Sequence, residues 1–291
     1  MWSYDSADEL IGRNVMEFVH ASYHKEAIHL MTEMNNGNIA DAAELLMVRK
    51  GGSHFYAEAN ANILRDANNN QIGILFFERD ITGRRRAEEE LQTTLSSLRK
   101  AVNTTIQVLV AAIEARDPYT AGHQKRVADL ACAIATEMGN PPEIVEGIRM
   151  AGCIHDIGKL SLPAEILSKP TKLTALEFAL IKEHSQSGYE ILKDVESPWP
   201  LAEMVYQHHE RMDGSGYPRN LKGAEILIEA RILAVADVVE SMASHRPYRP
   251  ALGLDAALEE IENNKGTLYD ADAVDACLIL FREKGYQLEG T

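Results

Sequence analysis

The 291-residue chain has no run of about 18 consecutive apolar residues, the length that crosses a bilayer. Its start, Met1-Trp2-Ser3-Tyr4-Asp5, lacks the basic and apolar regions of a secretory leader, so the chain as given is expected in the cytoplasm. Cysteine is scarce: Cys132, Cys153 and Cys277 are far apart, each in an apolar helical context. That excludes a disulfide framework or a thiolate metal site and predicts three reduced, packed thiols. Cations are also short, with 29 Lys and Arg against 44 Asp and Glu and a net charge of −15. A nucleic-acid polymer is bound through a basic face that neutralises its phosphates, so that class of partner is excluded. A small anionic ligand held by a few focused cations is not.

What is present fits an ordinary globular protein, 45% hydrophobic and 25% charged, long enough for about two domains. Residues 1–83 read as a mixed α/β unit. Apolar spacing predicts a helix over Ser22–Met34, and three strand-like runs follow: Glu44–Arg49, His54–Leu64 and Gln71–Ile81. Lys50-Gly51-Gly52-Ser53 and Asp66–Asn70 are the turns between them. His20, His24 and His29 suit the polar side of an amphipathic helix better than a haem site. Residues 84–116, free of Gly and Pro, read as one long helix. Leu91, Leu95, Leu98 and Val102 are spaced four, three, four, and Ile106, Leu109 and Ile113 continue after a slip. This predicts a dimeric parallel helix in the first half that hands over to a domain core in the second. Residues 117–291 read as one domain, helical throughout as far as about Gly285: Gly122–Met138, Pro142–Ile154, Thr174–Lys193, Leu201–His209, Ala224–Ser244, Leu254–Asn263 and Asp272–Lys284.

The chemistry-bearing residues gather in that last segment. His155 and Asp156 are adjacent in Ala-Gly-Cys-Ile-His-Asp-Ile-Gly-Lys, and His123, His184, His208, His209 and Asp237 stand around them in order. A lone histidine is usually a surface or satisfied core residue. Several on apolar helices, with two carboxylates, would cost several kcal/mol of desolvation for each charged group unless a cation binds them. Asp237 lies in the almost wholly apolar run Arg231-Ile-Leu-Ala-Val-Ala-Asp237, where a carboxylate needs a partner. A nitrogen and an oxygen ligand side by side, the oxygen able to bridge, point to a two-metal hydrolase.

These motifs resemble the HD-GYP subgroup of the HD phosphohydrolase superfamily, which hydrolyses cyclic di-GMP. The co-linear matches are Arg116-Asp117-Pro118-Tyr119-Thr120-Ala121-Gly122-His123 with Arg126, His155-Asp156-Ile157-Gly158-Lys159, and His184 with Gly188. They continue through His208-His209-Glu210, Asp213-Gly214-Ser215-Gly216-Tyr217-Pro218, Asp237 and Arg246-Pro247-Tyr248-Arg249. The first 80 residues resemble the second half of a PAS domain, ending in Asp80-Ile81-Thr82. That resemblance implies a sequence beginning inside the PAS domain. The expected architecture is therefore an α+β PAS-like sensor, a long connecting helix and an all-α HD-type bundle.

The resemblance implies that His123, His155, Asp156 and Asp237 hold one divalent metal ion and His184, His208 and His209 a second, with Asp156 shared. Iron or manganese is the expected metal. Asp156 and Lys159 are the catalytic candidates, and Lys159, Arg246, Arg249 and Tyr217 the substrate-binding ones. Arg246 and Arg249 offer forked donors for the second phosphate or a cap for the preceding helix. The loop around Tyr217 either contacts the substrate or a partner such as a diguanylate cyclase, or only positions the His208-His209 helix end. Relatives with a third metal carry a carboxylate where Tyr119 stands here, which implies two ions and linear pGpG as the main product. Glu240 replaces an aspartate common in the family, and Asp270-Ala271 replaces Asp-Pro at a helix start. A catalytically weak cyclic-dinucleotide-binding module, or a hydrolase of another cyclic dinucleotide, is the alternative. A homodimer through the PAS region and connecting helix is expected, without membrane contact.

Overall fold

The computed structural model describes residues 2–35, 42–117, 122–169, 171–244 and 252–288. By its internal contacts the chain divides into two units, Met1–Lys100 and Ala101–Thr291.

The first unit is built on an antiparallel sheet in the order β1 (Ala43–Val48), β2 (His54–Arg65), β3 (Gln71–Asp80). The register follows the alternation in β2, where Phe55, Ala57, Ala59 and Ala61 all point to the buried side. Phe55 stands opposite Met47 and Ala59 opposite Glu78. Helix α1 (His24–Asn35) covers that side through Ala27 and Leu30. The β2–β3 turn is tied by Asp66, whose Oδ1 accepts from the amides of Asn68 and Asn70, both at 2.8 Å. Asn69 occupies the left-handed region this turn demands, at φ 67°.

Helix α2 spans Thr82–Arg116. Leu91, Leu95, Leu98 and Val102 are exposed on it. Ile113 is buried against Ile154, Ile157, Leu192 and Val205, and Ile106 packs at the margin of that cluster. Leu109, after the slip in the heptad spacing, is still exposed, and burial begins only at Ile113.

The second unit is a bundle of α3 (His123–Glu137), α4 (Pro142–Ile154), α5 (Ala164–Leu167), α6 (Ala175–Leu192), α7 (Leu201–Gln207), α8 (Ile228–Ala243), α9 (Leu254–Asn263) and α10 (Ala271–Arg282). Pro142 opens α4, where its missing amide costs nothing. Thr174 and Glu177 cap α6 reciprocally. Asp270 caps α10 through the amides of Asp272 and Ala273, so the helix start expected there holds. Helix α8 begins four residues later than the spacing suggests, because Gly223–Glu225 forms a separate 3-10 turn and Leu227 a break. Helix α7 ends at Gln207, two residues short of the expected His209, with His208 as its helical cap. The core runs through α3, α4, α8, α9 and α10, with Leu130, Ile134, Ile148, Ile232, Leu233, Ile261 and Cys277 fully enclosed.

All three thiols are free, and burial pushes Cys132 and Cys277 up to about 12 and raises Cys153. Cys132 and Cys153 are only half-buried, which corrects the expectation of fully packed side chains.

A histidine and carboxylate centre in the helical unit

Five elements converge on one point. His123 opens α3, His155 ends α4, Asp156 follows it, His184 sits inside α6, His208 ends α7, and Asp237 projects from α8. His123, His155, Asp156, His184 and His208 are all buried, and Asp237 nearly so. Two glycines permit the approach. A Cβ on Gly158 would stand 1.8 Å from the His184 carbonyl oxygen, and one on Gly188 would stand 2.8 Å from Val205. The backbone after Asp156 therefore lies directly on α6, which carries His184.

The ring orientations follow a rule. His155, His184 and His208 each donate from Nδ1 to the carbonyl three residues back in their own chain, at Gly152 (2.7 Å), Ile181 (2.7 Å) and Val205 (2.6 Å). His123 donates from Nδ1 to the buried carboxylate of Glu240. Four imidazoles thus carry their proton on the outer nitrogen and turn a bare Nε2 inward. Burial holds His208 down to about 3 and lowers His184 and His209 as well, so these rings stay neutral. Burial alone would raise Asp156, but the Lys159 ammonium opposes it, and the carboxyl stays well below its usual range.

Electron pairs consequently face one another with no proton between them. Nε2 of His184 lies 3.3 Å from Nε2 of His208 and 3.5 Å from Asp156 Oδ1. His123 Nε2 lies 3.3 Å from Asp237 Oδ1. Deprotonated nitrogens and carboxylate oxygens this close repel unless a cation sits among them, and this is the protonation state in which both bind metal. Three groups have donor atoms within 4.8 Å of one another: His184-His208-His209, His123-His155-Asp237, and His155-Asp156-His208. The third overlaps the other two. The donor set fits divalent cations, and residues expected from sequence to act together are together.

Lys159 is no solvated loop lysine. Its Nζ is 2.8 Å from Asp156 Oδ2 and 3.3 Å from Asp117 Oδ2, and its side chain is 13% exposed. Tyr217 lies against the centre, its ring 4.8 Å from that of His209 and tilted by 33°, with its amide donating to the His209 carbonyl. Tyr119, Arg246 and Arg249 lie outside the described residues.

Glu240 and Glu210, visible in the sequence motifs without a role, act as positioning carboxylates. Glu240, fully buried, receives His123 and also accepts from Arg126 Nε (2.8 Å) and Ser244 (2.8 Å), which with the ring outweigh burial and hold it at about 2. Its place three residues after Asp237, on the same face of α8, was the available signal. Glu210 accepts from the amides of Arg219 (2.7 Å) and Leu221 (3.0 Å) and so gathers the loop around Tyr217. Inside that loop Gly216 lies on the Glu210 backbone, where a Cβ would stand 2.5 Å from Cα.

Residues 107–273, more than half the chain, match the HD domain family model. The chain belongs to the HD domain family. Residues 2–83 match the PAS domain model, so an HD domain here follows a PAS domain. Among curated relatives, the cyclic di-GMP phosphodiesterase response regulator RpfG of Xanthomonas campestris is 39% identical, covering 66% of this chain and 51% of its own length. A cyclic di-GMP phosphodiesterase of Thermotoga maritima is 44% identical, covering 61% and 49%. The 3'3'-cGAMP-specific phosphodiesterase 1 of Vibrio cholerae is 39% identical, covering 53% and 36%. The chain spans about half the length, or less, of these relatives. No described helix is long and apolar enough to cross a membrane.

Proposed function

We propose that this HD domain is a metal-dependent phosphodiesterase that opens cyclic di-GMP to linear pGpG under the control of its PAS domain. The observation that carries the reading is the inward convergence of bare imidazole nitrogens and ionised carboxylates, with Asp156 between the two clusters. His123, His155, Asp156 and Asp237 would hold one cation and His184, His208 and His209 the other. Iron and manganese suit a histidine-rich, thiolate-free donor set. When bound, two such ions acidify a water and offset charge on the scissile phosphodiester.

The chain's own residues prepare that chemistry. The carbonyls of Gly152, Ile181 and Val205 and the carboxylate of Glu240 fix the tautomers, so no ring turns away when substrate enters. Lys159 keeps Asp156 ionised and places an ammonium at the mouth of the cluster, where it can shift from carboxylate to phosphate oxygen. Tyr217 stacks on His209 and limits water at that side. Arg246 and Arg249 are proposed for the second phosphate on sequence grounds alone. The same reading includes a homodimer through the PAS region and the exposed leucines of α2, a location in the cytoplasm, and a diguanylate cyclase partner at the Gly216-Tyr217-Pro218 loop.

A second reading has a specific observation behind it: a relative named for 3'3'-cGAMP is as similar as one named for cyclic di-GMP. The test is anaerobic purification followed by incubation with each cyclic dinucleotide and Mn²⁺ or Fe²⁺. Products are followed by chromatography beside Asp156→Ala, and bound metal is counted by elemental analysis. Turnover of cyclic di-GMP with two ions per chain is expected. Binding without turnover under any divalent metal would leave a signalling module in its place.

A further inference from the structure

A cyclic dinucleotide carries two phosphates and two bases, yet the metal cluster accounts for one phosphate. Lys159, held by Asp156 and Asp117, serves that same phosphate. A different cation stands next to the centre. Lys182 lies two residues before His184 on α6, with its Nζ 4.9 Å from the ring centroid of Phe178 and 5.0 Å from that of Tyr217. The Tyr217 ring in turn lies 4.8 Å from His209. Lys182 is half-buried, and among the described residues no carboxylate pairs with it, in a chain of net charge −15. Phe178, one helical turn before Lys182, is 48% exposed.

An ammonium held by two aromatic faces, without a counter-ion, retains its charge for an incoming anion. A half-exposed phenyl face beside it suits a purine, since stacking on aromatic rings is the usual means of holding a base without reading its sequence. Resting on the phosphodiesterase reading, we infer that Lys182 and Phe178 form an outer subsite for the half of the dinucleotide that is not cleaved. Lys182 shares the distal phosphate with Arg246 and Arg249, Phe178 stacks on its guanine, and Tyr217 joins the subsite to His209. The site is therefore longer than the metal cluster and is built to prefer a dinucleotide over a small phosphodiester.

The test compares cyclic di-GMP with bis(p-nitrophenyl) phosphate, which has no distal nucleotide, using the metal-loaded full chain. Lys182→Met keeps the apolar stem and removes the charge; Phe178→Ala removes the platform. Each is expected to lower the kcat/KM ratio of dinucleotide to small diester by roughly tenfold, and to raise the Kd for cyclic di-GMP similarly, at unchanged metal content. Lys182→Arg is expected to restore most of the ratio. An equal loss on both substrates would make Lys182 a strap for the loop and overturn the subsite, as would an unchanged ratio. A wild type that cleaves the small diester but neither binds nor cleaves the dinucleotide would overturn the cyclic-dinucleotide reading along with it.

Discussion

The histidines of the two units have opposite surroundings. In the PAS unit His20, His24, His29 and His54 are exposed or half-buried, and their contacts are local: His20 with Ser22 at 2.7 Å, His24 with the Val19 carbonyl at 3.0 Å. In the HD unit His123, His155, His184 and His208 are almost wholly enclosed, and each has its outer nitrogen fixed. Every buried polar or charged side chain among the described residues lies at position 117 or later. The PAS core of Val19, Leu45, Met47, Phe55 and alanines encloses no buried polar side chain among the described residues. Burying a polar group costs free energy that packing does not return, so its concentration in one unit marks where function overrides stability.

Substitutions can break that contrast, and the largest expected effect is at Asp156. Asp156→Ala should reduce turnover to background and bound metal below two per chain, while His54→Ala changes neither; activity within tenfold of wild type in Asp156→Ala would sink the assignment. Next is glycine. Gly158→Ala places a Cβ onto the His184 carbonyl and should cost about 3 kcal/mol of HD-unit stability, read by denaturant unfolding. The PAS-side counterpart is milder: Gly83→Ala meets nothing within 4 Å and should stabilise α2 by at most about 1 kcal/mol. Glu240→Gln should weaken metal binding at the His123 cluster by about 10–100-fold and leave the His184-His208-His209 cluster loaded, measured by stepwise metal titration. Simultaneous loss of both ions would show the clusters are not separable. Smallest in energy, Leu95→Lys on exposed α2 should yield a monomer in light scattering with unfolding of the HD unit shifted by less than about 0.5 kcal/mol.

Much of this was legible in the sequence. The three strands fall where alternation and turn residues put them, because side-chain period and turn chemistry act over a few residues. The seven ligand candidates were visible as His and Asp in apolar helical runs, and the described structure brings them into one centre. Glu240 and Glu210 were not recognised for what they do. A charged residue on a helix is ordinarily solvated, and nothing local reveals that Arg126, 114 positions away, turns inward to meet Glu240. The late start of α8 was missed for a similar reason: apolar spacing continues through a break that the Gln207 side chain stabilises by accepting from the Leu227 amide.

The sequence by itself determined most elements, the absence of a disulfide framework, the family and the candidate ligands, since these rest on residue type and short-range spacing. Tertiary structure alone decided that the inward nitrogens meet in one centre, that His155-Asp156 lies on α6 through Gly158 and Gly188, and that Lys182 comes beside Tyr217. Those relations join segments far apart in the chain, and their geometry is set by how closely backbones approach, which no local pattern encodes.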